Sequence, residues 1–369
     1  MEIFPVGKPV TSKNLIGREI EIKKFLELLK TGQSIIISAP RRYGKTSILL
    51  ELKRILQGRN QYTAYIDIFG CTNKYELATA IIEKTLENRK IDNFVRKVKE
   101  NIKEVIKKLQ ISGIYDDIEY ALKIGDERVD ENKLLKEALM LPGKIADREE
   151  KPFFVFLDEF GDIAKYDGKE ILKFIRSIIQ QQRNVHYIFS GSQRSIIKEI
   201  FLTKSQPFFQ FAIFYEINRI KPEIFKKYLI NKFSELNIKV ESDIIDSILS
   251  LTRGHPFYTM LLAKMFYIRR VSKEKDILID DLISDAINVE KPYFDNLWDR
   301  LLERKNYREV VKYLASQNQK GMFYSEKMKN INLPRILKDL KRMDIIEKQN
   351  DKYEFIDPLF YEYLKREFR

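Results

Sequence analysis

Eight residues, Ala39-Pro40-Arg41-Arg42-Tyr43-Gly44-Lys45-Thr46, have the types and the spacing to hold a chain of phosphates. They read as G-x-x-x-x-G-K-[ST] with Ala39 in place of the first glycine, a residue small enough to let the backbone turn tightly. Backbone N–H groups from Arg42 to Thr46 would point at a β-phosphate, where the positive end of the next helix, entered at Ser47, adds its field. Lys45 would reach the β- and γ-phosphates as a point charge, and the Thr46 hydroxyl would ligate Mg²⁺. A basic surface turn is the bland alternative, and Gly-Lys-Thr at that offset argues against it. The expected ligand is a nucleoside triphosphate.

Hydrolysis needs a second, carboxylate-bearing strand beside the first. Lys151-Pro152-Phe153-Phe154-Val155-Phe156-Leu157-Asp158-Glu159 supplies one, because five large apolar residues in a row suit a central parallel strand buried on both faces. Asp158 is expected near the Mg²⁺ and its waters, and Glu159 is placed to polarise the attacking water. A third strand, Val185-His186-Tyr187-Ile188-Phe189, ends in Ser190-Gly191-Ser192. A polar residue there could feel the γ-phosphate, with Ser192 the first choice and Ser190 the second, although small polar residues also end strands as ordinary turn formers.

These groups must be positioned by a regular framework. Ile35-Ile36-Ile37 reads as the strand before the phosphate loop and Ser47-Ile48-Leu49-Leu50-Glu51-Leu52 as the helix after it. A helix from about Arg18 to Lys30 precedes them, and a second strand lies near Ala64–Ile68. Residues 73–148 carry a helical pattern and are expected to form a helical insertion. The last core strand is expected at Phe211–Ile217, and Pro222 opens a helical segment. The expected domains are a core at 1–220, a helical lid at 221–298 and a winged helix at 299–369, the last from a pattern of three helices and a short hairpin.

The ordered motifs resemble the archaeal ATPase family, in the STAND branch of the AAA+ P-loop ATPases. Leu15-Ile16-Gly17-Arg18-Glu19 resembles its N-terminal box and Ala39–Thr46 its phosphate loop. Phe156-Leu157-Asp158-Glu159-Phe160 matches its Walker B strand, and Ser190-Gly191-Ser192 its sensor strand. Thr252-Arg253-Gly254-His255-Pro256 resembles its lid motif, a Gly-x-Pro that packs near the nucleotide base, and Phe355–Phe360 resembles the end of its winged helix. The resemblance implies an α/β fold with a parallel sheet, followed by a helical lid and a winged helix. It implies ATP and Mg²⁺ as cofactors, ATPase activity, a switch driven by nucleotide state, and Ile16, Gly17, Arg18, His255 and Pro256 at the nucleotide. One departure stands out: members often carry Gly-Arg after a Pro-aromatic-aromatic segment, whereas here Pro207-Phe208-Phe209 is followed by Gln210-Phe211. The usual trans-acting arginine is therefore missing, with Arg183, Arg194 and Arg253 as substitutes; if none of them serves, slow turnover or dependence on a partner that inserts an arginine would follow.

Composition sets consistent bounds. With 369 residues and 44% hydrophobic content, the chain is long enough for two or three domains with real cores. It has no 18-residue apolar stretch and no secretory leader pattern, which makes a cytoplasmic protein without a membrane span the expectation. A single cysteine, Cys71, forms no internal disulfide, and two histidines, His186 and His255, offer no zinc cluster.

The formal net charge of +13 suits a polyanion, although Lys/Glu-rich surfaces also occur in thermophiles. Residues 301–369 hold sixteen Lys or Arg against eleven Asp or Glu, +5 of that surplus. In this segment Leu333, Ile336, Leu337 and Leu340 would face a core while Arg335, Lys338, Asp339 and Arg342 share the opposite face. With Lys348 and Lys352 nearby, duplex DNA is one partner for Arg335, Lys338 and Arg342. A protein partner or self-association is the other, and Asp339 in the middle of the row favours a solvated face.

Overall fold

The computed structural model describes residues 3–87, 130–316, 331–349 and 352–368. By internal contacts the chain divides into two units: Glu19–Ala39 with Lys45–Ile217, and Met1–Arg18 with Pro40–Gly44 and Asn218–Arg369.

The first unit is α/β. Its strands are β1 (Ile35–Ser38), β2 (Tyr62–Asp67), β3 (Phe153–Asp158), β4 (Val185–Gly191) and β5 (Ile213–Glu216), in the order β2-β3-β4-β1-β5. All four pairings are parallel: Ile35 stands opposite both Ile188 and Ile213, and Phe153 opposite both Tyr62 and Val185. Every carboxyl end therefore lies along one edge of the sheet, the edge at which open α/β sheets bind ligands. Every residue of β1 and β3 is buried, which explains their unbroken apolar runs. Two strand ends differ from expectation. β4 continues beyond Phe189 through Gly191, so Ser190 is a strand residue, whereas β5 starts only at Ile213. Phe211 instead leaves the ladder and joins an aromatic cluster, its ring 5.5 Å from Phe208 and 5.9 Å from Phe189.

Helices α1 (Glu19–Lys30), α2 (Lys45–Gly58), α3 (Lys74–Leu86), α4 (Glu131–Arg148), α5 (Lys169–Ile179) and α6 (Arg194–Leu202) accompany the sheet. The apolar faces of α3, α4, α5 and α6 share one core with β2, β3 and β4. Side-chain caps fix two starts: Asn73 accepts from the Glu76 N–H at 2.8 Å, and Asp130 accepts from Asn132 and Lys133 N–H, each at 3.1 Å. The helical reading of 73–148 is met at its two ends by α3 and α4, and 88–129 lies outside the described residues.

The second unit holds α7 (Pro222–Glu235), α8 (Ser242–Thr252), α9 (Pro256–Val271), α10 (Ile279–Leu302), α11 (Tyr307–Ser316) and α12 (Leu333–Arg342). An antiparallel hairpin of β6 (Ile346–Gln349) and β7 (Lys352–Phe355) follows, then α13 (Pro358–Glu367). Residues 317–330, where another helix of the expected C-terminal module would fall, lie outside the described residues. One apolar cluster runs from Phe4 and Ile220 to Leu364, so the boundary expected at 298/299 falls inside both α10 and a continuous core. That core holds Trp298, only 7% exposed, with the Arg308 guanidinium 4.5 Å from its ring centre. No helix among the described residues is long and apolar enough to cross a membrane.

Gly254, between α8 and α9, shows how tightly this unit closes. Its φ is +76°, its carbonyl accepts from the Ile220 N–H at 3.0 Å, and a Cβ there would sit 1.8 Å from the Ile220 carbonyl oxygen. Gly254→Ala is expected to lower stability by on the order of 3 kcal/mol in denaturant titration. Gly7→Ala, at φ +79° with open space around it, should cost about 1 kcal/mol. Equal midpoints for the two variants would contradict this.

Candidate functional site

β2 and β3 alternate strictly between two environments. Ala64, Ile66, Val155 and Leu157 enter the apolar core. The opposite face carries Thr63, Tyr65, Asp67, Phe154, Phe156 and Asp158, with Asp67 registered opposite Asp158. Asp158 is only 3% exposed and gathers four donors. Its Oδ2 accepts from the Thr46 hydroxyl at 2.9 Å and the Tyr65 hydroxyl at 2.7 Å. Its Oδ1 accepts from the Glu159 N–H at 3.0 Å and from the Ser190 hydroxyl. The pairing of Leu157 with Phe189 explains the last contact, since one residue further along it sets Asp158 beside Ser190.

Glu159 adopts φ +52°, a left-handed conformation costing about 1 kcal/mol for a residue with a Cβ. One carboxylate oxygen, Oε2, accepts from both the N–H and the hydroxyl of Ser192, at 2.8 and 2.9 Å. The two serines expected at the γ-phosphate thus give their hydroxyls to the two acids. The Lys45 ammonium, on a residue 5% exposed, donates to the Ala39 carbonyl at 3.0 Å. Asp67, Asp158, Glu159 and Asp162 lie close enough to interact: burial first, then Asp158, holds the Asp67 carboxyl above its ordinary range, against the Phe69 N–H. This crowding of acids favours a cation. Thr46 and Asp158 could hold Mg²⁺ jointly with phosphate oxygens, as Mg²⁺ sites commonly do. Among the described residues no three His, Cys, Asp or Glu side chains form a metal cage of their own.

The loop residues Pro40–Gly44 belong by contact to the second unit. Arg42, at φ +67°, donates to the Tyr258 hydroxyl at 3.0 Å and pairs with Glu290. Its guanidinium lies between two rings, 4.3 Å from Phe257 and 4.4 Å from Tyr293. Burial opposes its charge, but Tyr258, Glu290 and Asp357 outweigh burial and hold its pKa above the ordinary value. Tyr258 in turn donates to Asp357, whose other oxygen caps α13 by accepting from the Phe360 N–H at 2.9 Å. Tyr43 is held by Arg219, which donates to its hydroxyl at 3.2 Å, and by the ring of His255 at 4.7 Å.

The other sequence-predicted residues fall as follows. Arg18 is 3% exposed and donates to the Asn218 carbonyl at 2.7 Å and the Tyr43 carbonyl at 3.4 Å; Gly17 beside it, at φ +62°, abuts Ile220. Ile16 packs against the core of this unit. His255 is 2% exposed, kept neutral by burial and then by Arg219 and Arg42, and its Nδ1 caps α9, whose first residue is Pro256. Ala39 and Ser47 are buried, and Arg41 is exposed. Of the substitute arginines, Arg194 pairs with Glu216 and Arg253 with Glu354, while Arg183 is exposed.

Sequence reasoning missed Tyr65, Arg219, Glu290 and Asp357 as parts of these networks. Glu290 had a signal: it interrupts the stripe Leu282, Ile283, Ala286, Ile287, Phe294, Trp298, Leu301 at a core position of α10. Asp357 carried one local signal, an acid directly before Pro358, the arrangement of a helix N-cap.

Asp357 generates a pH prediction. Burial, against the Tyr258 hydroxyl, the Phe360 N–H and Arg42, pushes its carboxyl from 3.8 up to about 6. Between those values the native state binds more proton than the unfolded chain, so this contribution to stability is full below 3.8 and is lost as pH rises through about 6. Asp357→Asn keeps a capping oxygen but cannot titrate. From about pH 4 to 7 wild type should lose on the order of 2 kcal/mol relative to the variant in denaturant titrations; parallel pH curves would refute the assignment.

A family model described as an AAA-like domain matches residues 6–366. A similar curated protein is the probable DNA polymerase III subunit delta of Aquifex aeolicus (strain VF5), 27% identical over 262 residues, 67% of this chain and 72% of that protein. The Walker-type ATPase of Pyrococcus abyssi superposes with a TM-score of 0.71 at 18% identity, over 98% of this chain and 99% of that one. The ORC2 protein of Aeropyrum pernix, in its ADPNP-ADP complexes, gives 0.59 at 13% identity over 98% and 96% of the two chains. The ORC1 protein of the same organism, in complex with DNA, gives 0.52 at 13% over 96% and 93%. At such identities the structural likeness establishes the fold, that of AAA+ P-loop ATPases. Since the family match extends over nearly its whole length, the chain belongs to the AAA-like domain family.

Proposed function

We propose that the protein binds ATP and hydrolyses it with Mg²⁺, using the cycle to drive a conformational switch of the STAND type. The observation that carries this reading is the contact of the Thr46 and Asp158 side chains at 2.9 Å, beside a second acid, Glu159, fixed by Ser192. The loop N–H groups and Lys45 would bind the phosphates, and Thr46 and Asp158 would hold Mg²⁺. When bound, the metal supplies positive charge against the phosphate oxygens. Glu159 would orient and polarise the attacking water. Ser192, by holding one oxygen of Glu159, sets which oxygen faces that water.

The switch reading is supported by Arg42. The loop that must take the phosphates is tied through one side chain to Tyr258 in α9 and Glu290 in α10, and through Tyr258 to the Asp357 cap of α13. Any change of loop conformation therefore changes contacts made by three later helices. Arg194 and Arg253 pair with Glu216 and Glu354, which leaves the exposed Arg183 as the substitute for a trans-acting arginine; slow basal turnover would follow where it does not serve.

A nucleotide-gated DNA-binding role is a second reading, favoured by one contact. Asp339 accepts from the Tyr307 hydroxyl at 2.5 Å, so the acid in the basic row of α12 is occupied within the fold. Arg335, Lys338 and Arg342 are exposed on that helix. The C-terminal segment would then act as a winged helix, with Lys348 and Lys352 on its hairpin.

Equilibrium binding and single-turnover hydrolysis with Lys45→Ala and Glu159→Gln test the first reading. Lys45→Ala should lose ATP binding; Glu159→Gln should retain it and hydrolyse about 10²- to 10⁴-fold more slowly. Wild-type turnover by Glu159→Gln would overturn the catalytic assignment. For the second reading, duplex affinity should fall steeply with salt, and neutralising Arg335 or Lys338 should reduce the salt slope by about 1 each. A flat salt response would leave a protein-docking module.

A further inference from the structure

We propose that Tyr65 is a positioning residue for the metal: its hydroxyl, from the neighbouring strand β2, fixes the Asp158 carboxylate in the orientation that Mg²⁺–ATP requires. This rests on the Mg²⁺-dependent reading above.

The lone pairs of Asp158 are shared among four donors. The two donors on Oδ1, the Glu159 N–H and the Ser190 hydroxyl, come from the adjoining peptide and from β4. They hold one oxygen only, and the position of the other depends on the donors that reach it. The other oxygen, Oδ2, has Thr46 and Tyr65. Thr46 is itself the residue whose hydroxyl oxygen would meet the metal, so its orientation depends on the ligand. Tyr65 has no such second duty. Its ring stands on a strand hydrogen-bonded to β3, in the register Tyr65 with Phe156, and its hydroxyl lies 2.7 Å from Oδ2.

Partners of this kind behind a metal ligand commonly change metal affinity by 10- to 100-fold when removed. Because Asp158 would act beside a metal that is also held by phosphates, the low end of that range is expected here. Tyr65→Phe retains the ring and removes only the hydroxyl.

The test is the affinity of a fluorescent ATP analogue for wild type, Tyr65→Phe and Asp158→Asn, measured in EDTA and then across a Mg²⁺ titration. In EDTA, Tyr65→Phe should bind like wild type. Its half-saturating Mg²⁺ concentration should rise about tenfold, in the same direction as, and by less than, the shift in Asp158→Asn. A merely structural loss would weaken binding in EDTA and with Mg²⁺ alike, and that outcome, or a Mg²⁺ curve superimposed on wild type, overturns the proposal. If wild type binds the analogue without any response to Mg²⁺, the parent reading falls and this one with it; if only the Tyr65→Phe shift is absent, the parent reading stands.

Discussion

A carboxylate that is almost wholly buried must have its lone pairs filled, and Asp158 meets that requirement with four donors drawn from four places in the chain. The phosphate loop gives Thr46, the flanking strands give Tyr65 and Ser190, and the adjoining peptide gives the Glu159 N–H. Much else in the first unit follows from bringing these together. The order β2-β3-β4 sets the two hydroxyl-bearing strands on either side of β3. The parallel register puts their carboxyl ends level, and the left-handed turn at Glu159 aims the next acid toward Ser192.

The loop residues 40–44 obey a different constraint. An arginine taken substantially out of water needs an acid and a polarisable surround, and Arg42 obtains both from Glu290 and two aromatic rings. Removing either charged partner would leave the other stranded, so Arg42 and Glu290 are expected to change together or not at all. The same logic extends to Tyr258 and Asp357, where burial makes the carboxylate costly and the Tyr258 hydroxyl, the Phe360 N–H and Arg42 offset part of that cost.

What the sequence revealed was governed by the range over which each signal acts. The phosphate loop and the acid pair are contiguous strings, and the strands around them are apolar runs, so the positions of β1 to β5 and of the loop and acid pair at their ends are legible within a few residues. Phe211 was misread as strand because an aromatic residue suits both a ladder and a ring cluster, and only the nearby Phe208 and Phe189 decide between them. The sequence does not say that the Ser192 hydroxyl reaches the Glu159 carboxylate, because a serine's choice among polar neighbours is set by the fold. Asp339 makes its row read as a solvated helix face, since its donor, Tyr307, lies 32 positions earlier. Tyr65 and Glu290 belong to the same class: their roles come from strand order and helix packing, which no local pattern encodes.

The placement of Trp298 has an optical consequence. It is the chain's one tryptophan, and it lies in the core that runs from Phe4 to Leu364, whereas the sheet and its helices contain none. Indole emission from this protein is therefore a local reporter. It registers loss of the C-terminal core, and the guanidinium of Arg308 leaving its ring, while melting of the parallel sheet is silent in that channel and visible in backbone circular dichroism. The two signals together distinguish one cooperative transition from two.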